Sequence, residues 1–148
     1  MALFSPNVED EMFTRDRAFE DLTIWLLHWL LDFDFISESL LPGQYKKLPK
    51  RKLAVGHCRY DVIILPNLRT IRSSTLNILR KFAKNGGTVI IVGSTPDLVD
   101  AQVPQSPPII ERSKNVFWSK YSILDALEEF RELRILTNGG LPTDKLLY

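Results

Sequence analysis

The chain of 148 residues has the length of one ordinary domain and can bury enough apolar surface to fold without a disulfide or a structural metal. Its 45% hydrophobic and 25% charged residues exclude a disordered tail, a collagen and a disulfide-rich miniprotein. The net charge of +1 conceals a division into −7 over residues 1–40, +10 over residues 41–91 and −2 over residues 92–148. This division is unlike the uniformly basic composition of many nucleic-acid-binding proteins, and we expect no nucleic-acid partner.

No part of the sequence has the pattern of a targeting or membrane-spanning segment. Residues 1–6 lack the basic region and the long apolar run of a signal peptide. Residues 24–31 are interrupted by His28 and are far shorter than the ~20 residues that a bilayer requires. We therefore expect a soluble protein that uses no membrane. The apolar end at residues 146–148 predicts that the sequence is a piece of a longer protein.

The first 40 residues predict a strand, a long helix and a second strand. Residues 2–4 are apolar and precede Ser5 and Pro6, which predicts a short strand followed by a helix cap. Between residues 9 and 31 apolar side chains recur at helical spacing on two faces, so the helix is expected to have a neighbour on each side. Residues 33–36 predict the second strand.

The next segment predicts a polar linker and two more strands. Residues 41–52 include the basic run 46–52 and form the linker, and residues 53–56 predict a short strand. Residues 60–65 are a continuous apolar run, which is typical of a buried strand in a parallel sheet. Pro66 ends this strand because proline has no N–H to donate to a neighbouring strand.

A helix and a buried strand follow. Ser73 and Ser74 predict the cap of a helix that extends to about residue 85, and Gly86 and Gly87 predict its end. The buried face is expected to carry Leu76, Leu79 and Phe82. Residues 88–92 predict the strand, which is again rich in β-branched side chains.

The last third predicts a long irregular segment, a helix and a short strand. Residues 94–118 contain four prolines, and a loop of this length in a compact domain is usually functional or mobile. Residues 119–133 predict a helix and residues 134–136 a strand. The alternation of strands and helices along the chain predicts an α/β protein.

Candidate binding residues follow the predicted strands, because open α/β sheets bind ligands at the carboxyl ends of their strands. These positions hold Glu38, Asn67 and Ser94. Residues 60–65 resemble the strand that carries the phosphate-accepting aspartate in phosphorelay receiver domains. Pro66 occupies that position here and cannot accept a phosphoryl group, so the sequence excludes a receiver domain.

A serine hydrolase remains an alternative. Ser94 follows Gly93 at a predicted strand end and would need a base, and the two histidines of the chain are His28 in the long helix and His57 in a predicted loop beside Cys58. Capping of the turn is the simpler role for a serine in this position. A catalytic pair of Ser94 and His57 is therefore a secondary hypothesis.

Acidic, basic and aromatic groups allow further interpretations. Asp32 and Asp34 would lie on one face of a strand, ~6.5 Å apart, with Glu38 nearby. Together they suit a pair of acid–base carboxylates or a cation site, although the polar half of an alternating strand is the simpler interpretation.

The basic run 46–52 suits phosphate binding or nuclear localisation, but a solvated loop is favoured. Trp25, Trp29 and Trp118 suit sugar stacking, although a place in the core or at an interface is favoured for the two at helical spacing, Trp25 and Trp29.

Residues 31–38 (LDFDFISE) resemble the start of a domain found in large glycoside hydrolases. The similarity continues in order through residues 52–56, 60–66, 71–79, 86–93 and Pro96. This order is similar to the amidotransferase-like domain of family-42 β-galactosidases, the so-called trimerisation domain. It is also similar to the equivalent domain of α-L-rhamnosidase-like proteins, which are often labelled family-2 sugar-binding proteins. Residues 141–148 resemble the start of their following segment.

The resemblance implies a flavodoxin-like three-layer α/β fold with a mainly parallel sheet, as in class I glutamine amidotransferases but without their nucleophilic cysteine. It implies an amidotransferase-like domain over residues 1–140 and the start of another segment at residues 141–148. The basic run 46–52 lies outside the family pattern.

The resemblance also implies a non-catalytic accessory domain of a carbohydrate-active enzyme. Such a domain packs against other domains of the parent chain, supports a homo-oligomer or lines a sugar site, and it needs no cofactor or metal. The residues expected to contact ligand or partner are Glu38, Asp34 and Asn67. A small Ser/His hydrolase and a plain protein-interaction domain are the alternatives.

Overall fold

A computed structural model describes residues 6–46 and 51–141 of the chain. The chain divides into two compact units: unit 1 comprises Met1–Phe33 and Leu124–Tyr148, and unit 2 comprises Asp34–Ile123. The strand predicted over residues 2–4, part of the basic run and the segment from residue 142 onward lie outside the described residues. The domain boundary predicted at residue 140 therefore stays a prediction.

The helices and strands follow in chain order. The helices are α1 (Pro6–His28), α2 (Leu41–Gln44), α3 (Ser73–Lys84) and α4 (Lys120–Leu127), and a 3₁₀ turn covers Glu128–Phe130. The strands are β1 (Tyr45–Lys46), β2 (Leu53–Val55), β3 (Cys58–Tyr60), β4 (Val62–Pro66), β5 (Thr70–Ile71), β6 (Thr88–Val92), β7 (Leu98–Val99) and β8 (Lys114–Val116). This mixture of helices and parallel strands agrees with the predicted α/β class.

Unit 2 is built on a parallel sheet in the order β4–β6–β8. Val62 of β4 lies opposite Thr88 of β6, and Ile90 of β6 lies opposite Lys114 of β8. The central strand β6 buries four consecutive residues from Val89 to Val92, and because successive side chains point to opposite faces, both faces of the sheet are covered there. The prediction of parallel strands at residues 60–65 and 88–92 is confirmed, although Tyr60 belongs to β3 and β4 extends to Pro66.

Pro66 lies within β4 because its missing N–H falls on the side away from β6. The Asn67 N–H donates to the Val92 carbonyl (2.8 Å), which directs the odd-numbered residues of β4 toward β6. Since successive residues of a strand point their N–H groups to opposite sides, Val62, Ile64 and Pro66 face the other edge. Along that edge, no hydrogen bond to another described residue engages β4. The chain thus tolerates proline there without losing a sheet hydrogen bond.

Two smaller sheets complete unit 2. The strands β1, β2 and β3 form an antiparallel sheet, in which Gly56 and His57 make the turn between β2 and β3. The strands β5 and β7 form a two-residue parallel pair. The prediction of an irregular segment over residues 94–118 is wrong in part, because β7 and β8 both lie within it; each is too short to produce a recognisable periodic pattern.

The helix α3 packs its apolar face into the core of unit 2. Leu76, Leu79 and Phe82 are buried as predicted, alongside the central residues of β6. Gly86 ends the helix in a left-handed conformation with φ of +87°. At Gly87 a Cβ atom would lie 2.1 Å from the Phe82 ring, so only glycine allows the chain to turn this closely over the core.

Unit 1 contains α1 and the chain from residue 124 onward. Leu22 and Leu26 of α1 are buried, as are Leu124 and Leu127. On the other side of α1, Ile24 and Leu27 are 40% and 53% exposed, so no described residue covers this face and the neighbour predicted for it stays a prediction. Among the described helices, none is long and apolar enough to cross a membrane.

Three predicted elements are wrong in position or type. Residues 33–36 form no strand, because Leu30 has a positive φ of 60° and the following side chains are held by separate contacts described below. The helix predicted over residues 119–133 ends at Leu127 and continues as the 3₁₀ turn. Within the described part of the chain, residues 134–136 form no extended strand, although Leu136 forms a β-bridge.

Candidate functional site

The carboxyl ends of β4 and β6 meet at Asn67, Gly93 and Ser94. The Ser94 N–H donates to the Asn67 side-chain Oδ1 (3.2 Å). A Cβ atom at Gly93 would lie 3.2 Å from the same oxygen. The Gly93 N–H donates to the Val116 carbonyl at the end of β8 (2.9 Å). The Asn67 amide therefore fills the space above the end of β6 and ties the two strand ends together.

Two residues of this edge have left-handed backbone conformations, with φ of 44° at Asn67 and 79° at Gly93. Asparagine and glycine are the residues that adopt this conformation most readily. A nucleophile at a strand-to-helix elbow occupies a comparable tight turn. Here the turn after β6 carries no side chain at Gly93 and leads to irregular chain and β7 rather than to a helix.

Ser94 and His57 are not brought together as a catalytic pair. Ser94 follows β6 of the parallel sheet, whereas His57 lies in the β2–β3 turn of the antiparallel sheet. Both are exposed, and within the part of the chain that the structure describes no hydrogen bond joins them. Cys58, which was expected in a loop, is the exposed first residue of β3.

Glu38 and Asp100 cap the beginning of α3. The Arg72 N–H donates to Glu38 Oε1 (3.1 Å), and the Ser73 N–H donates to Asp100 Oδ1 (3.0 Å). The prediction that Ser73 and Ser74 form this cap is wrong, because the helix N-cap is Arg72 and the oxygens come from two other segments. The hydrogen bond from the Ser73 side chain, and to a smaller extent the one from the Ser73 backbone, hold the pKa of Asp100 below its usual value of 3.8.

Asp34 accepts a hydrogen bond from the Tyr60 hydroxyl (2.7 Å) at the end of β3. Burial, followed by hydrogen bonds to Asp34 and Cys58, raises the pKa of Tyr60 above its usual range, so its hydroxyl remains a donor. Asp34, inside the segment 33–36 that was predicted as a strand, and Glu38, two residues after it, are thus each held by a separate hydrogen bond. In the described parts of the chain, no three His, Cys, Asp or Glu side chains are placed to hold a metal ion.

A cluster in unit 1 was missed by the sequence analysis. The Trp29 Nε1–H donates to Glu128 Oε2 (3.1 Å), and the guanidinium of Arg131 lies 4.2 Å from the centroid of the Trp29 ring. Arg131 is 7% exposed, and its Nη1 lies 3.8 Å from Glu128 Oε2 without a hydrogen bond. The only sequence signal is the spacing of three between Glu128 and Arg131, which does not indicate burial.

Comparisons with known proteins identify no relative. No family model matches the chain, and neither the curated proteins nor the solved structures contain a significant match. The class that the fold defines is therefore the broad one, a protein of mixed helices and strands with a parallel β4–β6–β8 sheet.

Proposed function

We propose that the chain is a non-catalytic accessory domain of a carbohydrate-active enzyme, acting through packing against other domains, oligomer assembly or lining of a sugar site. We also propose that its architecture is flavodoxin-like, of the class I glutamine amidotransferase type without the nucleophile. The β4–α3–β6 unit supports this architecture, since a helix connects two adjacent parallel strands. The carbohydrate part rests on the resemblance of residues 31–38 and the segments that follow them.

The non-catalytic part rests on the end of β6. Gly93 offers no side chain at the turn where an amidotransferase-like domain carries its nucleophile, and the Asn67 amide occupies the adjoining space. The three predicted contact residues already accept structural hydrogen bonds: Asn67 from Ser94, Asp34 from Tyr60, and Glu38 from Arg72. Side chains engaged in this way favour a role in shaping the domain.

The alternative of a Ser/His hydrolase is tested by direct turnover measurements. We expect the chain to hydrolyse neither p-nitrophenyl acetate nor glutamine above the rate of buffer. The measurement includes Ser94→Ala and, as a matched control at another exposed serine of unit 2, Ser106→Ala. Turnover that Ser94→Ala abolishes and Ser106→Ala retains would overturn the non-catalytic proposal.

The carbohydrate part is tested by ligand-dependent melting. Galactose or rhamnose at saturating concentration should raise Tm, because a ligand that binds only the folded state stabilises it, whereas glycerol at equal molarity should have a smaller effect. Glu38→Gln is the informative variant, since glutamine retains an acceptor for the Arg72 N–H and removes the charge. If neither sugar raises Tm in the unchanged chain or in Glu38→Gln, a plain interaction domain is favoured instead.

A further inference from the structure

The two units carry opposite charge. Unit 1 contains 12 acidic and 5 basic residues, a net charge of −7, whereas unit 2 contains 6 acidic and 14 basic residues, a net charge of +8. We propose that the chain associates head to tail with a second copy of itself, through an acidic surface on unit 1 and a basic surface on unit 2. This inference rests on the proposed role in assembly and names its partner.

The acidic surface is one exposed face of α1, formed by Asp16, Glu20, Ile24 and Leu27. Their spacing of four, four and three residues places them along one side of a helix with 3.6 residues per turn. All four are exposed, and Leu27 is exposed by 53%. The opposite side of α1 carries the buried Leu22 and Leu26. The surface therefore combines two carboxylates with two uncovered aliphatic side chains.

The basic surface lies on unit 2 around the exposed Arg80, Ile109 and Arg112, and the exposed Phe117 and Tyr121 follow further along the same segment. Its apolar members are unusually open: Ile109 is exposed by 60%, Phe117 by 86% and Tyr121 by 82%. The Arg80 Nε–H donates to the Ile109 carbonyl (2.9 Å), which joins α3 to this segment. Residues 101–123 contain three basic residues and one acidic residue, Glu111.

A second copy satisfies both surfaces. Each combines exposed apolar side chains, which are costly to leave in water, with a charge that repels its own kind. Two copies of the acidic surface would repel each other, whereas acidic against basic attracts. Contacts between unlike surfaces give a two-fold dimer when they form reciprocally between two copies, and otherwise a ring or an open chain.

The proposal is tested by sedimentation velocity over a range of protein concentrations at about 0.01 M and about 1 M salt, where the Debye lengths are about 30 Å and 3 Å. We expect concentration-dependent association that weakens at high salt. Glu20→Lys and Arg112→Glu should each weaken it by about tenfold, and a mixture of the two variants should restore it. Leu27→Ser and Phe117→Ser should also weaken it.

The matched control is Glu132→Lys, which changes the charge of unit 1 equally at an exposed position outside α1. Association weakened as much by Glu132→Lys as by Glu20→Lys would overturn the docking surface, because overall charge alone would then explain it. A chain that remains monomeric at every concentration and salt would overturn the proposal outright. Circular dichroism confirms that each variant folds. Turnover is measured on the same samples, so a catalytic chain would disprove the proposed function separately.

Discussion

The interior of unit 2 and the interior of unit 1 are stabilised by different kinds of interaction. Unit 2 packs α3 against its parallel sheet through aliphatic and aromatic side chains, and the buried residues of this core are apolar with Thr75 as a polar exception. Among its described residues, unit 1 buries four leucines together with Arg131, whose guanidinium contacts the Trp29 ring, Glu128 and the Leu133 carbonyl. An apolar core is sensitive to volume, whereas a charged cluster is sensitive to the loss of a partner.

The largest effect is expected from filling the close turn of unit 2. Gly87→Ala places a Cβ atom 2.1 Å from the buried Phe82 ring, so the core must shift, and we expect a loss of about 2–3 kcal/mol in the free energy of unfolding. Urea denaturation measures this loss. Gly43→Ala is the control, because nothing lies within 4 Å of a Cβ atom there. Equal stability of the two variants would contradict this picture of a tightly packed core.

An intermediate effect is expected in unit 1, where the two members of the ion pair should differ. Glu128→Ala leaves the buried Arg131 guanidinium without its carboxylate, and we expect a loss of about 1–2 kcal/mol, reduced because the Glu128 side chain is 39% exposed. Arg131→Met keeps an apolar contact with Trp29 and removes the buried Nη1, which has no hydrogen bond, at the loss of the Nε–H bond to the Leu133 carbonyl. It should therefore cost less than about 1 kcal/mol. Urea denaturation of both variants decides the order, and the reverse order would show that the guanidinium itself stabilises unit 1.

The smallest effect is expected from Asp100→Asn in unit 2, and it appears in the pH dependence. The lowered pKa of Asp100 contributes stability that is present above pH 3.8 and is lost as the pH falls through the pKa of the folded protein. Asparagine keeps an acceptor for the Ser73 N–H but does not titrate there. Urea midpoints of the two proteins should therefore differ at pH 5 and converge toward pH 2. A constant difference across this range would exclude the charge of Asp100 as the cause.

The same contrast explains how much of the fold was accessible from the sequence. The period-3.6 pattern of Leu76, Leu79 and Phe82 and the apolar runs of β4 and β6 are local, so the central β4–α3–β6 unit was predicted closely. The cap of α3 depends on Glu38 and Asp100, which lie 34 and 27 residues away from their partners, and local preference favoured the nearby serines instead. Long-range polar contacts leave no periodic signal.

The candidate site shows the same limit. Asn67 and Ser94 were selected because they follow strands, and the structure does bring them together. Asp34 and Glu38 were selected on the assumption of a strand, yet they contact Tyr60 and Arg72 instead. The cluster of Trp29, Glu128 and Arg131 joins residues about 100 positions apart, with 99 separating Trp29 from Glu128, and no sequence pattern indicates it.

Pro66 has a consequence for aggregation. On the side of β4 that pairs with no other described residue, Val62 and Ile64 offer N–H groups, but Pro66 offers a carbonyl alone. A strand from another molecule that paired with this edge could accept hydrogen bonds from Val62 and Ile64 but not from Pro66. The hydrogen bonding between the two strands would therefore end after a few residues. Proline at such a position acts as a gatekeeper against growth of a cross-β assembly. The residue that excludes a phosphate-accepting aspartate thus also limits the template that an apolar edge strand would otherwise present.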